Sequence, residues 1–333
     1  MQSRVVVLSV DVEEDMPGWR VSPHISVDNV HALPRLQAIC DRYAVPPTYL
    51  VTYPMVTSHD SRRVLTDLHR AGTCEIGAHL HPWNTPPLPN GPETVPVRAN
   101  HLPRALVAAR LETLTETITA AFGERPRSFR FGRFGVDGPC LIALERLEYQ
   151  VDSSVTPGIS WRHEGGPDFR DAPVFPYRPS RLRPDRPGNS RLVEVPVGAG
   201  FTRRLPNRVR KLYLHLPRWT RIRGLLSRDH LDWVEYLWLS PWGHPPALLK
   251  RVVDDLIARE VPLIHLFLHS SELVPGASGY ARTMQEVDRL LETLEAVLAH
   301  AVERWGCRGV TLSQFAAWWA ASPGATGAPG GTQ

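Results

Sequence analysis

Two pairs of polar residues stand where apolar runs stop. Asp11 and Glu13 close the run in LSVDVEED, and His79 and His81 close the run in EIGAHLHPW. If each run is a β-strand, residues two apart share a face, so each pair can aim both side chains at one point. A third ending of this kind is His269, after LIHLFL. Carboxylate and imidazole donors without a thiolate suit zinc or another divalent first-row metal, with a coordination position left for water. Taken singly, a His-x-His pair or an acidic run is more often a polar turn than a ligand set. The order and placement of all three carry the reading of a hydrolytic metal centre.

The elements that must position these residues follow from the apolar pattern. Strand-length runs occur at 5–10, 48–52, 74–79, 128–131, 149–152, 192–195, 263–269 and 309–312. Several are apolar on both faces, as expected where helices cover a parallel sheet. Helical patterns fall between them at 28–43, 60–70, 103–122, 245–260 and 280–305. Such alternation predicts an α/β fold, an irregular (β/α) barrel of about seven strands. Its active groups should then collect at the C-terminal ends of the strands. Residues 1–321 read as one catalytic barrel. Long loops rich in Pro, Gly and Arg are expected at 82–103 and 157–190, and a disordered tail at 322–333. His265 lies on the His269 face of its strand but deeper, and reads as a satisfied core histidine. Glu75, on the His79 face, reads as a structural hydrogen-bonder.

Composition excludes several classes. The chain has 333 residues, is 42% hydrophobic and 22% charged, and carries a formal net charge of +4, ordinary values for a globular protein. Its four cysteines, at 40, 74, 140 and 307, show neither a disulfide framework nor a thiolate zinc knuckle. No apolar run reaches the roughly 18 residues needed to span a bilayer. The run Val5-Val6-Val7-Leu8 is followed at once by acidic residues, so it reads as a strand rather than an export signal. The expectation is a cytoplasmic protein. Basic residues concentrate at 203–228, RRLPNRVRKLYLHLPRWTRIRGLLSR, interleaved with apolar ones at roughly helical spacing. That stretch either packs its apolar face on the barrel or rests peripherally on anionic lipid at the inner face of the membrane. No nucleic-acid motif accompanies it, and nucleic acid is not an expected partner.

Five stretches in order resemble the polysaccharide deacetylases with NodB homology, carbohydrate esterase family 4, and within them the WalW-like subgroup. They are SVDVEED (9–15), EIGAHLHPW (75–83), FRFGRFG (129–135), VDSS (151–154) and LHSSEL (268–273). The resemblance implies a NodB-type (β/α) barrel that uses a divalent metal, zinc or else cobalt, nickel or manganese. The metal-dependent hydrolase would remove an N-acetyl or similar acyl group from an amino sugar in a polysaccharide or surface-glycan precursor. The expected partner is thus a carbohydrate or glycolipid. Residue by residue, Asp11 matches the general base, Glu13 the metal carboxylate and His79 the first metal histidine. The family's second histidine falls four residues later, where this chain has Trp83, so strand parity nominates His81. Glu14 and Asp15 stay open as alternatives to Glu13 or His81. Arg130 resembles the arginine that orients the base, with Arg133 its rival; Asp152 resembles the carboxylate that supports the catalytic acid, and His269 that acid. Trp83, Arg133 and Phe134 are the expected substrate contacts. The alternatives are an amidase or deformylase of a small non-sugar amide, and a catalytically inactive glycan-binding barrel.

Overall fold

The strand Val5–Val12 (β1) shows how the barrel is built, because each of its faces does a different job. Val6, Leu8, Val10 and Val12 join the apolar cluster formed with the surrounding helices, while Val5 and Val7 belong to a second cluster inside the barrel. Further along the inner face the residue types change from Val7 to Ser9 to Asp11. One strand face thus runs from apolar floor to polar site.

The computed structural model describes residues 4–22, 24–88, 95–216 and 234–322. Thr48–Val51 (β2), Glu75–Leu80 (β3), Ser128–Phe131 (β4), Val151–Asp152 (β5) and Val193–Glu194 (β6) follow β1 side by side, all parallel. Ala199–Phe201 (β7) and Tyr236–Trp238 (β8) form a separate antiparallel pair. Leu263–His269 (β9) pairs in parallel along β1 from Val5 to Asp11. The result is a curled ribbon of seven parallel strands, β9-β1-β2-β3-β4-β5-β6, with the two-residue strand Arg308–Gly309 (β10) beside the start of β1. Helices Leu33–Arg42, His59–Arg70, Arg104–Phe122, Gly138–Arg146, Pro246–Ala258 and Met284–Ala299 lie between the strands in sequence. This is the irregular (β/α) barrel that the strand–helix alternation predicts.

Single hydrogen bonds, rather than a regular ladder, close the ribbon between β6 and β9. Gly198 N donates to His265 O at 3.1 Å, Leu239 N to Gly198 O at 2.7 Å, and Phe267 N to Leu239 O at 3.1 Å. A Cβ on Gly198 would lie 2.2 Å from His265 O, so only glycine lets the backbones approach this closely.

The floor is sealed by a helix, Leu312–Ala321, whose Leu312 and Phe315 join Val5, Val7, Leu50, Val151, Val193 and Leu263 in the inner cluster. The strand expected at 309–312 is therefore only the two-residue Arg308–Gly309. Thr311 and Gln314 form a capping box, each side chain accepting from the other's backbone N–H, and this starts the helix immediately. Glu75 also serves that helix: its Oε2 accepts from Ser313 N and Thr48 Oγ1, and its Oε1 from Ser128 Oγ.

Of the basic stretch, residues 203–216 are described. The helix Asn207–His215 buries Arg210, which ion-pairs with Asp255, and Tyr213, edge-on to Phe201, while Val209 and Leu212 are exposed. The part of the expected membrane-facing stretch beyond 216, like the tail beyond 322, lies outside the described residues. Among the described residues no helix is long and apolar enough to cross a membrane.

Candidate active site

Strands β1, β3 and β9 bring their polar ends to one point. Glu13 Oε2 lies 3.2 Å from His81 Nε2 and 3.7 Å from His79 Nε2, and the two Nε2 atoms are 3.0 Å apart. Tetrahedral sites with bonds of roughly 2.0–2.1 Å hold their donor atoms about 3.3–3.4 Å apart. These three side chains, each 2% exposed, are thus placed to hold one metal ion. Glu13 Oε1 is buried without a hydrogen-bond partner among the described residues, and burial pushes this carboxyl's pKa up. A carboxylate so placed is costly unless a cation joins it.

Burial lowers the pKa of His79 to about 3, leaving a neutral imidazole of the kind metals bind. For His81 burial acts the same way, but Glu14 and Glu13 outweigh it and push the value up to about 9. The Glu14 carboxylate accepts from His81 Nδ1 and Trp83 Nε1, both at 2.9 Å, and is itself held at about 2, His81 overcoming its burial. A carboxylate on the far ring nitrogen fixes the tautomer and aims Nε2 at the cluster. Glu14 therefore stands behind His81 rather than among the donors, and Asp15 is engaged elsewhere, by Ser26 and Asn29.

Asp11 stands beside the cluster, its Oδ2 4.0 Å from His79 Nε2. Its other oxygen accepts from Arg130 Nη1 at 2.6 Å. Burial would raise the Asp11 pKa, but Arg130, His79 and His269 together hold it below the ordinary value. Arg130 is fully buried and makes three further bonds: Nε donates to Ser153 O, and Nη2 to Ser9 Oγ and Ser153 Oγ. Ser9 in turn bonds His265 Nε2 at 2.9 Å, while His265 Nδ1 donates to Pro196 O. Burial holds His265 at about 3, so it is a neutral acceptor for the Ser9 hydroxyl. The core histidine is satisfied, and it also anchors the chain of bonds that ends on Asp11.

His269 Nε2 lies 3.8 Å from Asp11 Oδ2 on the opposite side from Arg130's donor. Its Nδ1 is 2.6 Å from Glu272 Oε1, in the turn Ser270–Leu273. Burial disfavours the imidazolium, yet Glu13, Glu272 and Asp11 prevail and push its pKa up to about 9. Asp152 is not the carboxylate behind His269. It lies at the end of β5, where it accepts from Ser154 Oγ at 2.5 Å and faces Glu194, its register partner on β6.

Asp11, Glu13, His79, His81 and His269 line a cavity of about 280 Å³ with aromatic walls. Trp83 is 3% exposed and stacks on His81 at 4.1 Å. It buttresses the histidine rather than offering an open platform for a sugar. Arg133 and Phe134 take left-handed φ of 51° and 55°, a conformation costing non-glycine residues about 1–3 kcal/mol each. Arg133 turns into the cavity; Phe134 stacks on Trp161 at 5.6 Å and meets Trp238 edge-on.

Neither a family model nor a curated protein matches the sequence. Solved structures do match. One from Mycobacterium smegmatis, described as a candidate polysaccharide deacetylase, aligns over 95% of this chain and 90% of its own, with a TM-score of 0.53 and 17% identity. Another from Parabacteroides distasonis, described as a candidate glycoside hydrolase/deacetylase, aligns over 96% of this chain and 71% of its own, with a TM-score of 0.60 and 16% identity. The chain has the polysaccharide-deacetylase fold. At these identities the likeness is one of architecture.

Within this polysaccharide-deacetylase fold, some lining residues carry no motif. Trp19, Trp161, Trp238 and Tyr280 come from loops and from the β7–β8 hairpin, and Arg98 and Glu164 pair across the rim at 2.7 Å. Glu272 had a signal, lying three residues after His269, a spacing at which one turn brings the two side chains together.

Proposed function

We propose that this chain is a metal-dependent hydrolase that removes an N-acetyl or similar acyl group from an amino sugar. The observation that carries the reading is that Asp11 stands between a three-donor metal cluster and His269, within 4.0 Å of His79 and of His269. Base, cation site and acid thus converge on a single point in a walled cavity.

Glu13, His79 and His81 would hold the cation, and two imidazoles with one carboxylate suit zinc, though cobalt, nickel or manganese fit the same donors. When bound, such an ion polarises an acyl carbonyl and acidifies water. Asp11 accepts the proton of the attacking water, with Arg130 fixing Oδ1 so that Oδ2 faces the reaction. Water oxygen bonds to the carbonyl carbon, giving a tetrahedral centre. The C–N bond then breaks as His269 passes its Nε2 proton to the departing amine, leaving a free amino sugar and a carboxylic acid. Glu272 orients the ring and favours its charged form. Each acid–base partner is worth roughly 10²–10⁴ in rate. The aromatic walls suit the apolar faces of a sugar ring.

The test is acetate release from free, polymeric and lipid-linked N-acetylated sugars, with and without chelator. Release that stops with chelator and returns with zinc supports the proposal. No release from any of them with any of the four metals defeats it.

A further inference from the structure

Arg98 and Arg133 line the cavity and Arg130 is buried behind it; two of the three are neutralised by carboxylates, Arg130 by Asp11 and Arg98 by Glu164. Arg133 is different. No carboxylate among the described residues lies within ion-pair distance of it, and its buried Nε has no hydrogen-bond partner there. Its one acceptor among the described residues is the Trp19 carbonyl, at 2.8 Å from Nη2.

The backbone is arranged to put this side chain where it is. Arg133 and Phe134 both hold left-handed φ, and Arg98 Nε donates to the Arg133 carbonyl, pinning the turn. The guanidinium lies 5.8 Å from the centre of the Trp83 ring, which stacks on His81, and it is bonded to Trp19, whose ring meets His269 at 4.9 Å. Arg133 therefore spans the cavity between the metal cluster and the expected proton donor.

A half-buried guanidinium with free donors beside a pocket is a receptor for a planar or tetrahedral oxyanion, which it can grip in fork fashion. We infer that Arg133 selects substrates carrying an anionic group, a carboxylate or a phosphate, within about one sugar ring of the acyl group to be removed. The inference rests on the N-acyl sugar reading above and narrows it to acidic or phosphorylated amino sugars.

The experiment compares three N-acetylated ligands: a neutral methyl glycoside of N-acetylglucosamine, N-acetylmuramic acid and N-acetylglucosamine 6-phosphate. Affinities are measured by calorimetry on zinc-loaded Asp11→Asn protein, with Arg133 intact, Arg133→Gln or Arg133→Lys; acetate release is followed in parallel with Asp11 intact. At least one anionic ligand should bind about tenfold or more tightly than the neutral one, as a charge-assisted pair would give. Arg133→Gln should bring that ratio close to one, and Arg133→Lys should keep part of it. The arm that wins tells carboxylate from phosphate. Equal binding of neutral and anionic ligands, a preference untouched in Arg133→Gln, or no binding of either anion overturns the inference. Binding with the expected preference but no acetate release from any ligand would instead refute the deacylase reading and leave the anion site standing. Far-ultraviolet circular dichroism and thermal melts of both variants separate loss of the fork from loss of the fold.

Discussion

Asp11 on β1 and His269 on β9 are register partners, and their facing atoms, Oδ2 and Nε2, are 3.8 Å apart. Parallel pairing of two neighbouring strands thus sets the spacing of proposed base and acid directly, with no loop between them. Such a spacing is insensitive to the long loops around the cavity.

Asp11→Asn keeps the side-chain shape and the Arg130 contact but cannot take a proton. Acetate release should fall by at least ~10²-fold, while zinc content by elemental analysis stays near one per chain. Near-normal turnover would show that another group is the base.

Glu272→Gln probes the residue behind His269 Nδ1. The amide can still be bonded but no longer stabilises an imidazolium, so kcat should drop by about 10–10² with KM little changed. Asp152→Asn, made in the same series, should not reproduce that kcat loss, because the partners of Asp152 are Ser154 and Glu194 rather than His269. Matching kinetic effects in the two variants would contradict the geometry.

The Asp152–Glu194 pair makes a pH prediction for stability. Burial pushes Asp152 up to about 6 from an ordinary 3.8, and burial together with Asp152 pushes Glu194 well above its usual value. A carboxyl whose folded pKa exceeds its unfolded one binds its proton more tightly when folded. Its contribution is complete below the unfolded value and is lost as pH rises through the folded one. Glu194→Gln replaces the shared proton with a permanent donor. Urea unfolding should therefore show the variant no more stable than the parent near pH 4 and progressively more stable above pH 6. A difference independent of pH would mean the carboxyls do not share a proton.

Gly198→Ala should lower stability by roughly 1–3 kcal/mol, as overpacking against fixed backbone does. The added methyl meets His265 O, and the β6–β9 seam must open to admit it. Thermal melting checks this, and an unchanged midpoint would show the seam to be pliable.

How much of this was legible in the sequence depends on distance along the chain. Asp11 and Glu13, and His79 and His81, could be paired from strand parity alone, because a two-residue period fixes their faces. The helix Gly138–Arg146 is absent from the helical patterns read from the sequence, although Asp137 caps it, its carboxylate accepting from Cys140 N. The β7–β8 hairpin was missed because its strands are three residues each and far apart in sequence. Asp152 was placed by resemblance, and the register of β5 against β6 sends it to Glu194 instead. DVEED nominates Glu13 by parity but leaves Glu14 and Asp15 open, because the strand ends at Val12 and its two-residue period no longer fixes where the acids beyond it point. The answer lies in partners distant in sequence: Ser26 and Asn29 hold Asp15, and His81 with Trp83 holds Glu14.

The floor helix Leu312–Ala321 has a bearing on how the protein is made. Its Leu312 N is held by Thr48 Oγ1 and its Ser313 N by Glu75 Oε2, and β1 gains its β9 neighbour only when Leu263–His269 exists. A nascent chain that has left the ribosome as far as Val261 thus carries β1 with one edge bare and its inner valines wet. Unpaired parallel edges of this kind invite aggregation. Closure of the barrel must therefore wait for nearly the whole chain.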